Sequence, residues 1–518
     1  MASLPRDTNQ ALGIGQVALD FMKGPGPDAA VLERTRQFHT DAVLCGASAL
    51  ALRTNAPTIL RAEALEYPGP AGLLGGGATV KAEKAVVANS SAMREWDSNG
   101  TNFGYDPARG RTAGEFGHND FYPVAVAAAQ QRGLDGETTL RGMVLVDEIR
   151  GRLAEVFSLK TYKIDHVLHG AIASAATYGA MMGATAEQIE SAIGMTVAHY
   201  TPWRAIRAGK QLSDSKGASA ALSAEAAVLS MERAMRGFLG PKDIFRNPES
   251  VFRQFEPQGF DLDISTEGKD FAVMGMHFKL GLYEHQSAGA LQAAIDLIAT
   301  HPEMLVPGAI ERVEIVAYEP AFGIIGDPAK RDPRTRQSAD HSMVYIVATL
   351  LRKAIESEPL SPLGERGRGE GREPSTSARS TEHSDSLWQS LMLLPEDYGQ
   401  EALLNPTTRA LMEKIGFVHG GAEYDAKYPE GIPTSLRVTL TTGAVLDSGL
   451  VMFPAGHARN RRADVRSILG AKFQNLGSLA FGDAAETVVD RLETLGELDA
   501  AGVSSLYDFE IESRPGYE

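Results

Sequence analysis

The hydrophobic periodicity of this chain changes twice, near Met276 and again after Gly456, and those two changes constrain its fold more than any other feature. Before the first change, apolar residues recur with the period of an amphipathic helix through Ala29–Ala51, Thr139–Phe157, Gly170–Met182, Ala186–His199 and Gly217–Gly237. One helix start is sharp. Thr185-Ala186-Glu187-Gln188 fits a capping box, in which a hydroxyl and an amide satisfy orphan N–H groups. The abundance of Ala, Gly and Ser predicts helices packed closely together. Past Met276 the period drops to two: Arg312-Val313-Glu314-Ile315-Val316 alternates like a half-buried strand. Leu436–Thr441 does the same, and a turn at Thr442-Gly443 leads into Ala444–Phe453 as a hairpin. A helix over Ser342–Ile355 lies between them, and helices return over Asp464–Leu479 and Ala484–Leu495. The expected fold is mainly α with an α+β part. A large discontinuous helical domain takes residues 1–275 and 456–518, and a smaller α+β lid domain takes 276–455.

Length and charge narrow the function. A chain of 518 residues holds roughly two to four domains on the usual size range. Its net charge of −16 argues against nucleic acid and anionic membrane surfaces as partners, because both call for basic patches. A negatively charged small molecule can still bind where local Lys, Arg and His override that field. Cys45 is the only cysteine, so neither a disulfide framework nor a Cys-based metal or iron–sulfur site is available. Met1–Asp7 lacks the basic-then-apolar pattern of a signal peptide, and no apolar run approaches the roughly 18 residues of a membrane helix. A cytoplasmic location is the expectation. The stretch Ser357–Ser386 is charged, Gly-rich and then Ser/Thr-rich, with almost no apolar content, and reads as a disordered surface insertion at about 357–386.

The chemistry concentrates in a polar interruption of the helical pattern. Arg94-Glu95-Trp96-Asp97-Ser98-Asn99-Gly100-Thr101 and Glu115-Phe116-Gly117-His118-Asn119-Asp120 stand between helix Val80–Ser91 and the apolar run Val124–Ala129. Loops anchored by helices on both sides commonly present catalytic groups. Asp97 and His118 suit general acid/base work if folding brings them together, whereas capping of a turn is the simpler role for Asp97. His166 opens the helix Gly170–Met182, where the dipole keeps an imidazole neutral; His169, one turn on, reads as core. Lys216 begins the helix after a basic, small-residue loop, which makes a carboxylate or phosphate site. Lys279 and His285 follow the change of periodicity. His457 and Arg459, with Arg461 and Arg462 just past a strand end, are suited to pairing with carboxylates, and a solvated basic turn is the alternative. Gly75-Gly76-Gly77 lacks the ending of a phosphate-binding loop, and the His166/His169 pair lacks zinc spacing. No metal or cofactor is expected.

These residues resemble the MmgE/PrpD family from about Ala29 to Leu495, the insertion excepted. Trp96-Asp97-Ser98-Asn99-Gly100-Thr101 looks like the family's Asp-x-Asn/Asp-Asp-Thr motif, and Gly117-His118 like the histidine that closes its loop. Asp165-His166-Val167-Leu168 and Phe453–Arg459 resemble the dehydratase branch, Lys216-Gly217-Ala218 and Phe278-Lys279 its two lysines, and Ala339–Tyr345 the motif ending in tyrosine. The resemblance implies that Asp97, Thr101, His118, Lys216, Lys279 and Tyr345 line the pocket of a homodimer. Two positions depart from the pattern: Gly100 replaces an acidic residue, and Asn119 replaces a proline.

The implied reaction is dehydration of a small tricarboxylate such as 2-methylcitrate. Asp97 and His118 would transfer protons with His166 in reserve. Lys216, Lys279 and Arg459 would hold carboxylates, and Tyr345 would orient the substrate or donate a proton. A decarboxylase or an epimerase of a related polycarboxylate would use the same carbanion chemistry. A non-catalytic helical scaffold leaves the clustered acid/base and cationic groups without a reason.

Overall fold

The computed structural model describes residues 1–102, 105–106, 111–112, 116–117, 119–207, 212–319, 321–325, 330–357, 376–514 and 516–517. The chain divides into two compact units, residues 1–278 with 473–518, and residues 279–472. The second unit therefore begins three residues after the expected boundary and ends well beyond 455. Chain character changes at Gly456, but the transfer falls inside a helix, Val465–Phe481, between Lys472 and Phe473.

The first unit is built from helices. Up to Met235 these are, in chain order, α1 (Gln10–Lys23), α2 (Ala29–Ala51), α3 (Asn55–Ala64), α4 (Ala82–Arg94), α5 (Pro123–Arg132), α6 (Gly136–Val156), α7 (Val167–Met182), α8 (Ala186–Tyr200), the single turn α9 (Asp214–Gly217) and α10 (Ser219–Met235). Helix α7 is central, packing against α1, α5, α6, α8 and α10. Every residue of α7 except Ala180 and Met182 is buried, and its Ala, Gly and Ser side chains keep the neighbouring backbones close. The capping box at Thr185 is present: Gln188 N donates to Thr185 Oγ1 at 3.3 Å, and Thr185 N donates to Gln188 Oε1 at 2.9 Å. Two features depart from the sequence pattern. Helix α4 runs on to Arg94, which places that arginine in its last turn and not in a loop. Helix α6 buries Asp147, Glu148, Arg150 and Arg152 in addition to its apolar residues, so its covered surface also carries ion pairs.

The second unit holds a four-stranded sheet. Strand β1 (Ile310–Ala317) lies between β2 (Ile415–His419), which is parallel to it, and β3 (Thr434–Leu440), which is antiparallel; β4 (Val445–Asp447) pairs with the outer edge of β3. Val313 sits opposite both Ile415 and Val438, so apolar residues stack across three strands on one face. Helix α11 (Ala288–Thr300) packs on β3 and on α12 (Met343–Glu356), and α12 packs on α14 (Pro406–Lys414). The expected hairpin arm Ala444–Phe453 is shorter than the alternation implied. It stops at Asp447 because Gly449 takes a positive φ of 67°, which breaks the ladder.

The disordered insertion is corrected at its C-terminal end. Thr376–Ser390 is helical and is α13, packed against α11. Its later turns bury Leu387 and Trp388, and Trp388 Nε1 donates to Gln292 Oε1 at 2.9 Å. Apolar groups past Ser386 anchor a helix whose beginning is Ser/Thr-rich. Residues 358–375 lie outside the described residues.

Candidate active site in the helical unit

The polar interruption folds into a buried cluster. Trp96 is fully buried and anchors the segment by donating its Nε1 to Ser48 Oγ on α2 at 2.9 Å. Asn99 Nδ2 donates back to the Met93 carbonyl at 3.1 Å, which closes the turn at the end of α4. Thr101 pairs with Gly117 as a short antiparallel ladder, and with His277 through N–H···O bonds of 3.1 and 2.7 Å in the two directions. His118 follows that ladder and lies outside the described residues.

Asp97 and Lys216 come together. Lys216 Nζ is 3.8 Å from Asp97 Oδ2, and both side chains are buried. Asp97 Oδ1 accepts from Arg94 Nη1 at 3.2 Å. The same arginine has its Nε 3.5 Å from Asp120 Oδ2, so one guanidinium stands between two carboxylates. Sequence reasoning passed over both Arg94 and Asp120. Arg94 was named only as the start of the polar stretch, and the signal available was its place three residues before Asp97.

The two departures from the family pattern complement each other. Gly100 N donates to Asn119 Oδ1 at 2.9 Å, and Asn119 Nδ2 donates to the Tyr122 hydroxyl at 3.0 Å. Tyr122 in turn donates to Asp147 Oδ2 on α6 at 2.5 Å. A Cβ at position 100 would stand 2.6 Å from Asn119 Oδ1 and 2.5 Å from the Phe38 ring, so an acidic side chain has no room there. A proline at 119 would leave Gly100 N without that acceptor. Arg150 completes the frame: its Nη1 donates to the Gly117 carbonyl at 2.7 Å, and its Nε donates to Asp147 at 2.9 Å.

His166 stands at the N-terminus of α7, 3.4 Å from Asp165 Oδ1 through Nδ1. Burial alone would raise the Asp165 carboxyl, but Arg207 and the neighbouring His166 and Arg204 hold it well below the ordinary range. Arg207 reaches it through two nitrogens, at 2.5 and 3.1 Å. Asp165 is therefore an anion backing His166. His169 is core: it is buried, its edge-on neighbour is Phe157, and burial lowers it to about 3.

The remaining candidates belong to the second unit. Lys279 is buried, and its carbonyl accepts from Lys472 Nζ at 2.9 Å. His285 is buried in the single turn that leads into α11. His457 is buried and accepts from Arg459 N through Nδ1 at 3.1 Å; burial and the Arg459 charge lower it to about 3, so it stays neutral. Arg459 pairs with Glu430 at 3.0 Å and lines a cavity of about 600 Å³ with Arg461, Arg462, Asp296 and Asp385. Tyr345 departs most from expectation. It is fully buried on α12 and donates its hydroxyl to the Asp397 carbonyl at 2.5 Å, so its proton is committed to the fold. The charged pair of that motif, Asp340 and His341, is joined at 2.5 Å, with Arg336 3.8 Å from the same carboxylate.

Comparison with known proteins gives a consistent picture. A family model described as the MmgE/PrpD N-terminal domain matches residues 23–263. A second, the MmgE/PrpD C-terminal domain, matches residues 283–355 and 391–494, an interruption that spans the insertion. Over 411 residues the chain is 26% identical to a mitochondrial 2-methylcitrate dehydratase of Yarrowia lipolytica, covering 72% of this chain and 71% of that protein. Over 443 residues it is 23% identical to a 2-methylcitrate dehydratase of Escherichia coli O157:H7, covering 79% and 81%. An alkylcitrate dehydratase from a fungal species is 22% identical over 349 residues, covering 67% and 62%.

Proposed function

The chain belongs to the MmgE/PrpD family, and from that premise we propose that it is a dehydratase of a small tricarboxylate, with 2-methylcitrate as substrate and 2-methyl-cis-aconitate as product. The observation that carries the reading is the buried pairing of Asp97 with Lys216. Loss of water breaks one C–H and one C–O bond and forms a carbon–carbon double bond. A base must take a weakly acidic proton beside a carboxylate, and the departing hydroxide must leave protonated as water. Asp97 supplies acceptor oxygens for the first step. Lys216 supplies a cation 3.8 Å away, where it stabilises negative charge as it develops on the substrate. His118 is the second proton-transfer group of the proposal, with His166, backed by the Asp165 anion, in reserve. Thr101 orients the substrate beside them. Lys279, His285, His457 and Arg459 enter the proposal as residues whose substitution is read in KM.

The test follows ultraviolet absorbance of purified protein mixed with 2-methylcitrate or citrate, since the unsaturated product absorbs where the hydroxy acids do not. Lys216→Ala is expected to lower kcat by about a hundredfold or more, the usual effect of removing one group that stabilises developing charge. A flat trace for the wild-type protein with both acids sinks the dehydratase reading. Carbon dioxide release or inverted stereochemistry would then identify a decarboxylase or an epimerase. The assembly and location that accompany this reading are a homodimer in the cytoplasm. Among the described residues no helix is long and apolar enough to cross a membrane.

A further inference from the structure

We propose that Asp120 sets the charge of this site: carrying a proton, it leaves the Arg94–Asp97–Lys216 cluster one unit more positive and receptive to an anionic carboxylate, and ionised it weakens that binding. The inference rests on the carboxylate-binding reading of the site given above.

The geometry carries it. Asp120 is 1% exposed, and neither of its carboxylate oxygens accepts a hydrogen bond from another described residue. Two other buried carboxylates of the same unit behave differently. Asp147 accepts from Arg150 and Tyr122, and Asp165 accepts from Arg207 through both oxygens and from Val167 N. A buried ionised carboxylate gathers donors in this way because losing water without replacement is costly. Among the described residues Asp120 has gathered none beyond its own backbone N–H, which is the environment of a neutral acid. Its closest cation is Arg94, at 3.5 Å, and that guanidinium also binds Asp97. A proton taken up by Asp120 from solvent therefore changes the field at Asp97 and Lys216 through one shared group.

Among the described residues, the other charges acting on Asp120 are Arg150 on α6 and Arg207. Arg150 is matched by Asp147 at 2.5 Å and Arg207 by Asp165 at 2.5 Å, so each brings its own compensating anion. Asn119 and the phenol of Tyr122 are neutral neighbours in the chain. Burial pushes the Asp120 carboxyl up to about 6 in spite of Arg94 and Arg150, which puts its titration inside the range where the enzyme can be assayed.

Citrate binding, followed by calorimetry at about pH 5.5 and about pH 7.5, tests the proposal with wild-type protein, Asp120→Asn and Asp120→Glu. Citrate's own titration is common to all three and cancels in the comparison. The wild type is expected to lose roughly tenfold more affinity than Asp120→Asn over that interval, the scale of one unit charge acting at short range in a protein. Asp120→Glu, which keeps the acid, is expected to keep the slope. Equal slopes for wild type and Asp120→Asn overturn the inference and leave the tricarboxylate reading standing. Absence of citrate binding at both pH values overturns the tricarboxylate reading. A separate readout serves either way: infrared difference spectra of wild type against Asp120→Asn at pH 5.5 are expected to show the C=O stretch of a protonated carboxylic acid. Its absence overturns the assignment of a proton to Asp120 whatever citrate does.

Discussion

Asp120 also makes a prediction about stability that needs no substrate. Its folded value, about 6, lies above the ordinary 3.8, so the native state binds this proton more tightly than the unfolded chain does. The stabilisation is fully present below the unfolded value and is lost as pH rises through the folded one. Asp120→Asn mimics the protonated form at every pH. It is expected to be more stable than wild type at pH 8 by on the order of 3 kcal/mol, the equivalent of about two pKa units, with the gap closing towards pH 4. Denaturant melts at both pH values check this; a gap independent of pH would refute it. Much at this scale was legible in the sequence. Asp97 and Lys216 were picked out by type and setting, and they meet. Asp120 was not, because burial without donors is a property of surroundings that composition does not carry. Tyr345 shows the converse: its motif was visible, but the partner that occupies its hydroxyl, Asp397, lies 52 residues away in the chain.

Among the elements, α7 decides how the cluster is presented. Gly170 lies in its first turns, and a Cβ there would meet the Phe121 ring at 2.1 Å. The missing side chain lets Phe121 lie against the helix, and Phe121 is the residue after Asp120. Arg150 on α6 lies over that ring, 5.3 Å from its centroid. Gly170→Val is therefore expected to displace the turn at 119–121 and to destabilise the protein by roughly 1–3 kcal/mol, as overpacking of a close contact does. The check is a paired measurement of melting and of citrate affinity; an unchanged affinity would show that the turn does not depend on this contact. Helix positions were largely readable because their 3.6-residue period is local. The bounds Ala29–Ala51 agree at both ends, and the Thr185 cap is formed as expected. Less readable were the ion pairs that α6 buries beside its apolar residues, and the short arm β4, which ends before a glycine of positive φ.

For the molecule as a whole, the proposed homodimer is open to a direct test. The chain mass is 55.4 kDa, and light scattering behind a sizing column is expected to return about twice that value, as the family resemblance implies. A mass of one chain would remove the dimer from the proposal. The division into a helical part drawn from both ends and an α+β part between them followed from periodicity alone, because that pattern records which residues each element must hide from water. The strand pairings, the junction inside Val465–Phe481 and the make-up of the site did not follow. Local periodicity decided where helices and strands form. Only the tertiary structure decided that Gly100 and Asn119 complete each other, that Arg94 is shared by Asp97 and Asp120, and that Tyr345 is spent on the fold. Those are contacts between groups brought together by packing, and their energy depends on burial and on partners that no local stretch of sequence contains.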